Sequence, residues 1–189
     1  MGWLFRPEDV KNYTRLQIVM DQVNYTCDKY TDKVVYGKQY GSACYLAVRT
    51  TNHETGESRT NGLVVLTSIR KDETCNFGTK YISEDMGPHY YCAPKKLIEL
   101  LSPTDSEFAN NWRQQCLANV KKSALRKKDA DILRSLPESA IIKVGDPEGT
   151  RVMPYYFSGR RRYKIIGRWA RLSTSYILNY GFEVEQTHK

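Results

Sequence analysis

No run in the sequence approaches the roughly 18 consecutive apolar residues that a membrane-spanning helix needs. There is no Walker loop, no GxGxxG and no GxSxG, so the commonest nucleotide and acyl-transfer signatures are missing. No CxxC or HxxxH pair supplies the ligand spacing of an ordinary zinc site. Cysteine is sparse and odd in number: Cys27, Cys44, Cys75, Cys92 and Cys116 lie 17, 31, 17 and 24 residues apart. That count and spacing argue against a secreted disulfide framework. The stretch Met1-Gly2-Trp3-Leu4-Phe5 lacks a basic flank and a small-residue cleavage site, and Arg6 stands where a myristoylation signal needs Ser or Thr. The expected location is therefore the cytoplasm, and in that setting the sequons at Asn12 and Asn24 carry no meaning.

What is present is more telling. The chain has 189 residues, 40% hydrophobic and 26% charged, a globular mixture that excludes collagen-like, low-complexity and wholly disordered classes. It carries 29 basic and 21 acidic residues, a net charge of +8, and tyrosine occurs 14 times.

The patterning predicts an α+β fold. Pro7-Glu8-Asp9 reads as a helix start, and Val10, Tyr13, Leu16, Met20 and Val23 recur at near-helical spacing, so residues 7–23 are expected to be an amphipathic helix. Strands are expected at Val34–Tyr40, Tyr40–Arg49, Gly62–Ile69 and Phe77–Ile82, with a hairpin turn over Asn52–Ser58. A short helix from Ala93 ends at Ser102-Pro103. Thr104-x-x-Glu107 is expected to be a capping box for a helix running to about Lys127, with Phe108, Trp112, Cys116, Val120 and Ala124 as its apolar ridge. Pro137-Glu138-Ser139 reads as a linker. Beyond it, short β-rich runs at Ala140–Val144, Val152–Phe157, Arg162–Ile166, Arg168–Leu172 and Tyr176–Val184 alternate with turns. The expected architecture is a helix–antiparallel sheet–helix domain over residues 1–136, then a small SH3-like β-barrel over residues 137–189.

The placement of charge points further. From Arg151 to Phe182 there are seven basic residues and no acid. Tyr155, Tyr156, Phe157, Tyr163, Trp169, Tyr176 and Tyr180 share the window. Guanidinium groups grip phosphate bidentately, and exposed rings stack on bases at about 1–3 kcal/mol each. Arg160, Arg161, Arg162, Lys164, Arg168 and Arg171 are therefore the candidate phosphate ligands, with Tyr163 and Trp169 as stacking groups. The same pattern also fits a barrel core with an ordinary basic face, or a surface complementary to an acidic protein. A second basic cluster, Lys121, Lys122, Arg126, Lys127 and Lys128, falls near the expected end of the long helix, where cations complement the negative helix pole.

Catalytic readings are weak by comparison. His89 and Cys92 stand close enough in sequence to suggest a nucleophile and base, or part of a zinc site with Cys44 or Cys75. Glu84-Asp85 with Asp72-Glu73 would be the carboxylates of a metal-dependent nuclease. Buried structural cysteine and solvated loop acids explain the same residues, so no catalytic residue, metal or cofactor is assigned.

The segment Phe77-Gly78-Thr79-Lys80 through Ser83-Glu84-Asp85-Met86-Gly87-Pro88-His89-Tyr90-Tyr91-Cys92, followed by Pro94, Leu97-Ile98, Leu100-Leu101-Ser102-Pro103-Thr104 and Trp112-Arg113-x-x-Cys116, resembles a family of small proteins carried on bacteriophages, plasmids and gut-bacterial mobile elements. The similarity spans most of residues 1–120 and brings no catalytic residues. It implies a bacterial host cell and, by association, an anti-defence role such as an anti-CRISPR inhibitor acting on a nucleoprotein effector. The expected function is thus a non-enzymatic protein that binds DNA, RNA or such a complex. The alternatives are a housekeeping nucleic-acid-binding protein of the element and a metal-dependent nuclease.

Overall fold

The computed structural model describes residues 12–68 and 78–185, which form two compact units divided at Lys121/Lys122. The described residues are mixed α+β, with four α-helices and two antiparallel five-stranded sheets.

In the first unit, α1 spans Arg15–Val23. The part of the expected first helix before residue 12 lies outside the described residues. Asn12 is helical, the chain breaks at Tyr13-Thr14, and α1 begins at Arg15 because Thr14 and Gln17 form a reciprocal capping box, Thr14 N–H donating to Gln17 Oε1 at 2.9 Å and Gln17 N–H to Thr14 Oγ1 at 3.3 Å. Ile18, Val19 and Val23 are β-branched, which disfavours helix by under about 0.7 kcal/mol each. Their burial, about 1.5–3 kcal/mol each, outweighs that preference and fixes the helix on the sheet.

The sheet follows chain order: β1 (Tyr25–Thr26), β2 (Tyr30–Tyr40), β3 (Ala43–Asn52), β4 (Ser58–Ser68) and β5 (Gly78–Ser83). Its central strand is apolar on both faces because both are covered. Cys44, Leu46 and Val48 pack with α1, while Ala43, Tyr45 and Ala47 pack with Leu97, Trp112 and Cys116. The β3–β4 hairpin turns over Asn52–Ser58 as the polar, glycine-bearing stretch predicts, with Asn52 Oδ1 accepting from the N–H groups of Glu54 and Thr55.

A single turn of 3₁₀ helix, Glu84–Met86, follows β5. Tyr90 and Tyr91 follow in irregular backbone. Their carbonyls accept from long-helix side chains, Trp112 Nε1 at 2.9 Å and Asn119 Nδ2 at 3.0 Å, so the segment serves the helix. A short helix, α2 (Lys95–Ile98), buries Leu97.

The long helix α3 runs over Glu107–Ser135, beyond the expected end near Lys127. Thr104 does not cap it: its hydroxyl accepts from Ser106 N–H and from Arg59, and the Ser106 hydroxyl accepts from Ala109 N–H as the true N-cap. Its buried residues are Ala109, Trp112, Cys116 and Leu133, whereas Phe108 is exposed and so is Ala124. The units divide inside this helix, upstream of the Pro137 break that composition suggested, because Leu133 packs into the second core with Ile142, Val144, Val152, Tyr163 and Ile177.

The second unit holds β6 (Ile141–Val144), β7 (Arg151–Phe157), β8 (Arg160–Ile165), β9 (Arg171–Leu172), α4 (Thr174–Tyr180) and β10 (Phe182–Glu185). Its strand order is β10-β6-β7-β8-β9, so the last strand returns to pair with the first. Tyr176–Tyr180 was expected within a strand but is helical. Ser173 caps it by accepting from Tyr176 N–H, and Gly181 ends it at φ 77°. Gly145 permits the closing strand to approach, since a Cβ there would stand 2.5 Å from the Tyr180 carbonyl oxygen.

Asp146 organises the β6–β7 turn. Its carboxylate accepts from Thr150 Oγ1 at 2.6 Å and Thr150 N–H at 2.7 Å, and from the Tyr176 hydroxyl at 3.3 Å. The Thr150 hydrogen bonds hold its pKa below the ordinary carboxylate value. A depressed folded-state pKa adds stability above the unfolded value and loses it as pH falls through the folded one. Below about pH 4 the stability of this unit is therefore expected to decline, and Asp146→Asn to flatten that acid limb. Urea midpoints followed across acidic pH for both proteins check it; parallel curves would refute it.

Candidate nucleic-acid interface

Strand alternation divides the basic window into two populations. In β8 the residues Tyr163 and Ile165 turn toward the core, while Arg160, Arg162 and Lys164 turn away. Register extends this outer face across neighbouring strands. Met153 and Arg171 stand opposite Lys164, Tyr155 opposite Arg162, and Phe157 opposite Arg160. Outward residues along one strand are about 6.6 Å apart, so the cations form a ladder rather than a point charge.

Arg160 and Arg171 are exposed and make no side-chain ion pair or hydrogen bond among the described residues. The Arg162 guanidinium lies 5.2 Å from the Phe157 ring centroid, and Lys164 Nζ lies 5.8 Å from that of Trp169. Arg168 reaches Glu148 at 3.5 Å, with both side chains about 70% exposed, a pair of little strength in water. Trp169 sits in the β8–β9 loop at 104% exposure, and Phe157 is 56% exposed. Both rings therefore stand free of the core on this side of the sheet.

Two expected ligands lie off the outer face. Tyr163 is 1% exposed and donates its hydroxyl to the Leu133 carbonyl at 3.3 Å, so its ring has no free face on which a base can stack. Arg161 points to the other side of the strand. Its Nη1 donates to the Arg134 carbonyl at 3.0 Å, its Nη2 to the Leu136 carbonyl, and its guanidinium lies 5.5 Å from the Tyr156 ring. It thereby satisfies carbonyls at the C-terminal end of α3, which is a folding role. Tyr155 and Phe157 join the site instead; period-two counting from Arg162 across the Ser158-Gly159 turn is the signal that finds them.

Two open grooves mark the face. One, of about 470 Å³, is lined by Tyr155, Lys164, Arg168, Trp169, Ala170 and Arg171. The other, of about 390 Å³, takes residues from both sides of the strands: Arg162 and Arg171 from the outer, Arg161 and Leu172 from the inner, with Ser173 and Thr174. They share Arg171, and neither lining contains a carboxylate.

Lys121, Lys122, Arg126, Lys127 and Lys128 are all exposed. Because α3 continues to Ser135, they lie within the helix and not at its negative pole, so the macrodipole does not account for them. The Arg126 guanidinium donates to Ser175 Oγ at 3.4 Å.

The candidate catalytic groups are dispersed. Glu84 is 1% exposed and held by Arg113 through two 2.8 Å bonds while accepting Gly62 N–H at 2.9 Å, which gives it a structural role. Asp72, Glu73 and Cys75 lie outside the described residues. Cys44 and Cys116 sit on opposite faces of the first sheet, and burial pushes both thiols up to about 11, leaving them protonated and unreactive. Cys92 is exposed, and among the described residues no hydrogen bond joins it to His89. No group of three or more His, Cys, Asp or Glu side chains converges to hold a metal ion among the described residues. No helix among them is long and apolar enough to cross a membrane.

The arrangement is a sheet-borne basic and aromatic face. No protein-family model, curated protein or solved structure matches the chain.

Proposed function

We propose that the chain is a non-enzymatic binding protein that holds nucleic acid on the outer face of β7–β9, either free or within a nucleoprotein complex. The observation that carries this reading is the row Arg160, Arg162, Lys164 and Arg171, which faces solvent beside the exposed rings of Phe157 and Trp169 without a carboxylate to neutralise it. The return of β10 to β6 after a short helix supports an SH3-like small barrel as the scaffold of that face. The resemblance to mobile-element proteins supports the narrower reading of an anti-defence inhibitor, such as an anti-CRISPR protein working in the cytoplasm of a bacterial host. Its target would then be the guide RNA or target DNA held within the effector.

Neutralising phosphates releases counterions, so affinity should fall with salt in proportion to the contacts made. Four outward cations predict a log–log slope of about −3 for a single strand, at −0.7 per charge. Fluorescence anisotropy of labelled DNA and RNA across a salt series measures it. A slope near zero, or no binding at low salt, would overturn the proposal.

A further inference from the structure

We infer that the ligand of this face is single-stranded nucleic acid, with an unpaired base seated against Trp169 and Tyr155 and the adjoining phosphate between Arg162 and Arg171. The inference rests on the nucleic-acid reading above and names its substrate class.

The loop that carries Trp169 is built rather than frayed. Ile165 N–H donates to the Ala170 carbonyl at 2.9 Å, Ile166 N–H donates to the Arg151 carbonyl at 3.0 Å, and Gly167 takes φ 79° to close the turn. The indole is thus held at full exposure by a fixed backbone. Its faces remain wet unless a ligand covers them, and Lys164 lies close enough to steer an anion toward the same groove.

The two grooves differ in chemistry and adjoin at Arg171. The Trp169 groove has two aromatic walls and suits a planar base. The other presents Arg162 and Arg171 with the hydroxyls of Ser173 and Thr174, and Arg161, committed to the carbonyls of α3, adds its positive charge at the inner edge. Ser173 Oγ already accepts Tyr176 N–H, so its own proton is left to donate to a phosphate oxygen. A base site beside a phosphate site is the footprint of one nucleotide. Glu148 reaches Arg168 at the Trp169 groove at 3.5 Å but lines neither groove.

A duplex hides the faces of its bases by stacking them on one another, so it can offer this surface phosphates but nothing for Trp169. An unpaired strand offers both. Stacking on one ring contributes about 5- to 160-fold in affinity.

The test compares a labelled oligothymidine strand and a labelled single-stranded RNA with blunt duplexes at fixed salt, for the natural chain, Trp169→Ala and Trp169→Phe. The single strands should bind about tenfold or more tightly than duplex. Trp169→Ala should lose that preference without changing the salt slope or the melting temperature, and Trp169→Phe should restore most of it. Duplex binding as tight as single-strand binding, or an unaffected Trp169→Ala, would overturn the single-strand inference while leaving nucleic-acid binding standing. Absence of binding to every probe at low salt would overturn both.

Discussion

Replacing Arg113 with alanine is expected to destabilise the first unit by about 3–5 kcal/mol, a large part of the 5–15 kcal/mol that ordinarily holds a domain together. Glu84 is buried at the end of β5 and depends on Arg113 for its charge partner. Its Oε1 also accepts the Gly62 N–H, in the strand where Trp112 packs. A Cβ on Gly62 would stand 2.9 Å from the Trp112 ring, so backbone, carboxylate and indole meet in one tight junction. Removing the guanidinium leaves an uncompensated buried charge and also frees the Ser102 carbonyl that Arg113 Nη1 holds at 2.8 Å. The double variant Glu84→Gln with Arg113→Met should recover much of the loss, because the charge goes with its partner. Urea denaturation of the three proteins measures this. If Arg113→Ala lost under about 1 kcal/mol, the junction would not be a determinant of stability.

Reversing charge on the outer face is the second large effect. The triple variant Arg160→Glu, Arg162→Glu and Arg171→Glu should weaken nucleic-acid binding by about 100-fold or more at low salt, since it removes three contacts and adds three repulsions. All three side chains leave the core untouched, so the melting temperature should hold. Arg161→Glu should do the reverse. It breaks the bonds to the Arg134 and Leu136 carbonyls and should lower stability before it lowers affinity. Anisotropy and thermal melting run in parallel separate the two. Equal binding losses for Arg161→Glu and the triple variant at unchanged stability would refute the division into outer and inner arginines.

Much of the architecture was legible because the apolar runs are strong. Leu63-Val64-Val65-Leu66 and the polar stretch Asn52–Ser58 specify a hairpin by themselves, and Ser158-Gly159 does the same in the second unit. The end of α3 was harder to read, since Lys121 to Lys128 has no apolar period and only tertiary packing at Leu133 shows that the helix continues. The helix at Thr174–Tyr180 had its signals, Ser173 before it and Gly181 after it, but Tyr and Ile within it favour strand when read by propensity alone. At the candidate site the composition of Arg160-Arg161-Arg162-Tyr163-Lys164 pointed to phosphate as a block. Period-two alternation was needed to send Arg161 and Tyr163 inward, and it required knowing that the block is a strand.

The middle of the long helix has a consequence of its own. Residues 121–128 are exposed around the whole circumference, and Lys122 and Arg126 stand one turn apart, where like charges disfavour helix by a few tenths of a kcal/mol. With no core to offset that repulsion, dissolved electrolyte acts on this segment as a helix promoter by screening it. The two basic regions therefore answer ionic strength with opposite signs. A rise in salt that releases a polyanion from the strands also firms these two turns of helix, so at low salt an anion lying along Lys122 and Arg126 would take over the screening role.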